Sequence, residues 1–336
     1  MIWARAEGCR VTLVDGRELL DLTGGFGVGA LGHRNPRILE AWREQEVVHA
    51  LGDLADAEVT VRLRDALPRR AKLGVTGEDA VEIALRTALL ASGRPGIVAF
   101  EGAYHGTGLL ALAATGFERF REPFALWLPG PVHRRPYGED PGPLPADAGC
   151  VIVEPVQGRA GSRIPSDGFL ELLRRRCDEA GALLVVDSIF CGLGRVGVMW
   201  PGAEVADVLC VGKALGGGLP LSAALFYRDG LEEVWRLGPE DVYTHTHVGN
   251  PLACAGALVV LDEVPKLLDR VRAAGERFEQ NGWWGRGLLR AREGDAEEAL
   301  ARGVLVVPAG DGSLIQATPP LTITDAELDE AFEKLG

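Results

Sequence analysis

Four short apolar runs constrain this chain more than any other feature: IVAF at 97–100, CVIV at 150–153, LLVV at 183–186 and VLCV at 208–211. Each is too short for a helix and shows little apolar/polar alternation, the pattern of strands buried on both faces of a parallel sheet. A helical stretch at 168–180 separates the second run from the third, as a crossover between parallel strands requires. An earlier helix is expected from Glu78, with Ala80, Val81, Ala84, Leu85, Ala88 and Leu89 on one stripe and a stop at Ser92-Gly93. The expected fold is α/β, with a mostly parallel sheet flanked by helices. A chain of 336 residues exceeds what one core usually serves. We therefore expect an N-terminal segment (1–45), a large domain (46–260) and a small α+β C-terminal domain (261–336). The first segment reads as a hairpin about Asp15-Gly16 followed by a glycine-rich stretch at 24–32. The last reads as strands near 304–307 and 314–317, then a helix opened by Thr324-Asp325. Four prolines in 136–145 mark a surface loop.

Open α/β sheets bind ligands at the carboxyl ends of their strands. The residues following the four runs are therefore the candidates for chemistry. Run 97–100 leads to Tyr104-His105, run 150–153 to Glu154-Pro155, run 183–186 to Asp187, and run 208–211 to Gly212-Lys213. Lys213 is one of only four lysines, with Lys72, Lys266 and Lys334, and it alone follows a buried run and precedes a glycine cluster. A lysine desolvated there has a lowered pKa and can form an imine. Arginine, always protonated, cannot. Asp187 supplies the carboxylate that keeps a pyridine nitrogen protonated. Tyr104 can stack on a flat ring with His105 in support. Thr76-Gly77 precede the helix at Glu78, whose free N–H groups suit a phosphate. The carboxylates of Glu78 and Asp79 would repel that phosphate, so the backbone must face it. The expected cofactor is pyridoxal 5'-phosphate, held as a Schiff base on Lys213.

Other readings are weaker. The stretches 27–32 and 192–197 both match GxGxxG, but neither lies between a strand and a helix as a dinucleotide site requires. A net charge of -13 argues against nucleic acid and anionic membranes as partners. The N-terminus lacks the apolar stretch of a signal peptide, and no run approaches the length of a membrane span. Six scattered cysteines, with no CxxC pair, suit buried thiols in a reducing compartment. The expectation is a cytoplasmic protein with no metal site.

Taken together, these segments resemble the class III aminotransferases of fold type I, the ornithine/4-aminobutyrate type. Residues 27–33 look like the family's GVxxLGH, 76–82 (TGEDAVE) like its SGTEAVE, and 187–197 (DSIFCGLGRVG) like its DEIQTGFGRTG. FEGAYHG (100–106), EPVQG (154–158), GKALGGGLP (212–220), GNPLACA (249–255) and PPLTIT (319–324) follow the family in order. The resemblance implies a fold type I transferase moving an amino group between small-molecule amines and keto acids by a ping-pong route. It implies Lys213 as Schiff-base lysine and proton shuttle, and Asp187 opposite the pyridinium nitrogen. It places Tyr104 on one ring face, Ile189 on the other, and the backbone N–H groups of Gly77 and Glu78 on the phosphate. It also implies a homodimer with shared sites, in which Thr246 reaches the partner's phosphate. Decarboxylation, racemisation or elimination on the same scaffold, and a non-catalytic homologue, are the alternatives. Where many members pair a Glu after EPVQG with an Arg before PPL, this chain has Arg159 and Gln316. Arg159 is accordingly a candidate substrate contact, and the glutamate/2-oxoglutarate pair is expected to be disfavoured.

Overall fold

The computed structural model describes residues 1–52, 54–235 and 242–336. A seven-stranded sheet runs in the order β4 (Ala71–Gly74), β10 (Ser222–Phe226), β9 (Val208–Val211), β8 (Leu183–Asp187), β7 (Ala148–Val153), β5 (Gly96–Phe100), β6 (Val132–Arg135). From β9 to β6 every neighbour is parallel, while β10 is antiparallel to both β9 and β4. All four apolar runs are central strands of this sheet, buried along their whole length. The helix Phe169–Ala180 joins β7 to β8 as the expected crossover.

The chain passes from β5 out to β6 and then back across to β7, so the sheet reverses its winding beside β5. A reversal of this kind opens a crevice at the strand ends. Register lines up what stands there. Val153 pairs with Val186, so Glu154 and Asp187 follow side by side. Asp187 pairs with Cys210, so Lys213 lies just beyond the end of β9.

The helix Gly77–Ser92 follows β4 after a two-residue link and buries Ala80, Val81, Ile83, Ala84, Leu85 and Ala88. Its small and aliphatic stripe is what permits close approach to the sheet. Gly93, at φ 65°, ends it in the left-handed conformation and returns its N–H to Leu89 O.

A second sheet, β11 (Trp284–Arg286), β12 (Leu289–Glu293), β15 (Leu314–Ala317) and β14 (Val307–Ala309), is wholly antiparallel. The helices Leu268–Gln280 and Asp325–Leu335 meet beside it through the edge-to-face rings of Phe278, Trp283 and Phe332. The strand expected near 304–307 is two strands in two sheets. β13 (Val304–Leu305) pairs in parallel with β3 (Glu18–Asp21), beside the hairpin of β3 with β2 (Arg10–Leu13) and β1 (Trp3–Glu7). Val306 is the break, and the chain continues into β14. The proline-bearing loop is not wholly superficial either: Tyr137 is buried and its hydroxyl donates to Glu154 O at 2.9 Å. Among the described residues no helix is long and apolar enough to cross a membrane.

Candidate active site

One cavity of about 280 Å³ opens at the carboxyl ends of β5, β7, β8 and β9. Its lining includes Gly77, Glu78, Tyr104, His105, Arg159, Asp187, Ile189 and Lys213. The cavity brings together every expected site residue but one. Thr246 is exposed, on the loop before the helix Pro251–Glu263, and does not line this cavity.

Lys213 leaves β9 through Gly212 and takes a left-handed backbone, φ 47°, rare for a residue with a side chain. Such strain persists only where the surroundings over-determine it. Here the next turn is fixed by Gly217, at φ 64°, where a Cβ would sit 3.2 Å from Gly256 of the neighbouring helix. The amine lies 4.3 Å from the centroid of the Phe190 ring. Burial lowers its pKa from 10.5. Asp187 and Glu154 oppose that shift, and Arg159 adds to it. The amine is thus biased toward the neutral, nucleophilic form.

Asp187 is buried at the end of β8. Its Oδ2 lies 2.8 Å from His105 Nδ1, and its Oδ1 accepts from Ile189 N at 3.1 Å. A carboxylate can only accept, so His105 must carry its proton on Nδ1. His105 is itself fixed by its backbone N–H donating to Thr115 Oγ1. Glu154, beside Asp187, accepts from Tyr104 N at 2.9 Å. Burial, then the charge of Asp187, raises the Glu154 pKa well above 4.5.

The helix start resolves the charge conflict seen in the sequence. Glu78 turns its Oε2 to Thr107 N, Thr107 Oγ1 and Gly108 N at 2.9–3.0 Å. Asp79 Oδ2 accepts from Val75 N and Thr76 N, both at 2.9 Å. Both carboxylates are engaged by donors, and the first-turn N–H groups of Gly77 and Glu78 lack intrahelical acceptors. Gly77 packs closely under Ile189, where a Cβ would sit 3.0 Å from Ile189 Cγ2 and push that side chain aside.

These features fit pyridoxal phosphate: a backbone cradle for phosphate, a fixed buried carboxylate for a ring nitrogen, a desolvated amine, and Tyr104 and Ile189 on the walls. Glu154, named among the strand-end candidates but given no role there, also lines the cavity, as does Phe190. The Phe190 ring fits only because Gly158 and Gly27 face it, where a Cβ would fall 2.2 Å and 3.2 Å from the ring. Gly27 belongs to the first GxGxxG stretch, which here serves packing rather than a nucleotide.

At the mouth, Gln316 is buried and donates to Gly158 O at 2.6 Å and Ser162 Oγ at 3.0 Å. The Arg159 guanidinium lies over the Tyr104 ring at 4.8 Å. Among the described residues no carboxylate is within ion-pairing distance of it.

A family model described as aminotransferase class-III matches residues 1–142 and 144–281. The acetylornithine aminotransferase of Methanopyrus kandleri is 37% identical, over 98% of this chain and 92% of that protein. The mitochondrial acetylornithine aminotransferase of Alnus glutinosa is 32% identical, over 100% of this chain and 82% of that protein. Among solved structures, the ornithine aminotransferase of Toxoplasma gondii superposes with a TM-score of 0.90 at 26% identity, covering 99% of this chain and 89% of that one. An amine transaminase from an uncultivated Pseudomonas species, in its PLP-bound form, gives 0.90 at 27% identity, covering 100% and 93%.

Proposed function

This chain belongs to the class-III aminotransferases, pyridoxal-phosphate-dependent transaminases of fold type I, and from that premise we propose that its chemistry runs through Lys213. When bound, pyridoxal phosphate supplies a carbonyl carbon that condenses with amines and a ring that takes up electron density. The residues of the chain do the rest. Lys213 Nζ is the amine that anchors the cofactor. With substrate in place, the same amine would take and return the proton at the substrate carbon. Asp187 holds a proton on the ring nitrogen, and His105 keeps that carboxylate oriented. Tyr104 and Ile189 cover the two ring faces. Gly77 and Glu78 donate backbone N–H groups to the phosphate.

Thr246 is exposed and outside its own cavity, which leaves it available to the phosphate in a second copy. A homodimer with shared sites follows, in which residues 46–260 carry the cofactor and 261–336 present Gln316 to the mouth. Six buried, free thiols suit a cytoplasmic location. Arg159 contacts the substrate. Gln316 carries no charge, so a substrate with two carboxylates meets only one cation. Glutamate with 2-oxoglutarate is therefore disfavoured.

The observation that carries this reading is the convergence of a neutral-leaning Lys213 and a fixed Asp187 on one cavity. Borohydride reduction of the holoenzyme followed by peptide mapping tests it. The tag should sit on Lys213, and Lys213→Ala should abolish it. A tag on Lys72, Lys266 or Lys334 would refute the assignment.

A further inference from the structure

We propose that Phe120 sets the substrate class: it holds Arg159 over Tyr104, and this cation selects amino acids over plain amines. The proposal rests on the transaminase reading and concerns the same cavity. The Arg159 guanidinium lies 4.8 Å from the Tyr104 centroid and 5.6 Å from that of Phe120. The two rings meet edge to face at 5.5 Å. A second guanidinium, that of Arg119, lies 5.1 Å from Phe120 and 4.9 Å from Phe117. Both arginines are tied to one residue of the turn between β14 and β15. Gly310 N donates to Arg159 O at 3.0 Å, and Arg119 Nη1 donates to Gly310 O at 3.2 Å.

Ring faces satisfy a guanidinium's charge but not its N–H donors, which lie in its own plane. Arg159 lines the cavity with no carboxylate of the described residues beside it, and its planar fork matches a carboxylate. Lys213 lines the same cavity and feels the charge of Arg159, so the reacting amine and this cation share one pocket. Arg119 is exposed, with Glu118 and Glu122 in the same segment, so it holds Phe120 in place without giving the mouth a net charge. Phe120 is thus a positioning residue, acting through Arg159.

The test uses the holoenzyme with 5-aminopentanoate, pentylamine and glutamate as donors. Wild-type enzyme should prefer 5-aminopentanoate to pentylamine in kcat/KM, and should use glutamate less efficiently than 5-aminopentanoate. Phe120→Ala should shrink the preference about tenfold, mainly through KM, the scale of one lost cation–aromatic contact. Phe120→Leu, which keeps apolar bulk without a ring face, should behave like the alanine variant, and Phe120→Tyr should restore the preference. Pentanoate binding, followed by cofactor absorbance, should weaken by the same factor without any turnover. Unchanged pentanoate affinity in both Phe120→Ala and Phe120→Leu would overturn the proposal, as would equal use of amine and amino acid by the wild type. If none of the three donors reacts, the substrate reading of the proposed function fails, while the pentanoate titration still decides the role of Phe120.

Discussion

The floor of the cavity and its mouth are built by different means. The floor hangs on ends of parallel strands, and its polar side chains are interlocked: Asp187 with His105, His105 with Thr115, Glu154 with Tyr104, Glu78 and Asp79 with backbone donors. The mouth is assembled from loops and from the turn of a second sheet, joined by a few bonds to Gly310 and Gln316. The floor is rigid because each group there has one position that satisfies it. The mouth can change its chemistry, exchanging one charge for another, without disturbing the scaffold. A single fold can thereby keep its reaction while altering what it accepts.

This contrast is open to attack from the floor first. Asp187→Ala removes a buried charge partner, and should lower transamination by roughly 10²–10³-fold, the rate equivalent of about 3–4 kcal/mol. Single-turnover kinetics would show the loss in the chemical step rather than in substrate binding. A loss confined to KM would blur the division between floor and mouth. A moderate effect is expected at the other end. Gln316→Ala strips two buried acceptors of their donor and should cost about 1–3 kcal/mol in urea unfolding, with cofactor absorbance retained.

The smallest effect, and the sharpest probe of the floor, concerns pH. Glu154 has a folded-state pKa raised above 4.5 by burial and by Asp187. Folding then takes up a proton between the unfolded and folded values, so the wild-type protein loses stability as pH rises through that window. Glu154→Gln keeps an acceptor for Tyr104 N and cannot ionise. The apo variant should gain stability over wild type as pH climbs from about 4.5, levelling off above the folded pKa. Denaturant titrations at a series of pH values would reveal a flat difference if Glu154 were not strained by its burial.

Legibility in the sequence follows the same division. Strands β5, β7, β8 and β9 were readable because burial on both faces removes the need for polar positions. The residues after them were readable because strand direction fixes where those residues emerge. Strand β6 (VHRR) was not, since it lies at the sheet edge and is only half-buried. Strands β4 and β10 pair with each other across nearly half the chain, and β4 (AKLG) is short and only half apolar. At the mouth, Arg159 was visible as a departure from family pattern, but its neighbours were not. Phe120 and Gly310 come to it from distant segments, and aromatic packing of this kind leaves no local periodicity to read. Phe190 likewise takes its seat from Gly27 and Gly158, which belong to separate loops.

The pairing of Leu20 with Val304 carries a consequence for biosynthesis. The hairpin of β1, β2 and β3 leaves the ribosome long before β13 is made, so its edge at β3 waits for a partner. Until then that edge is exposed to other nascent chains, and the closure of so long a loop is a slow step. Expression yield of this enzyme should therefore depend on how that waiting edge is shielded, more than on the stability of the finished fold.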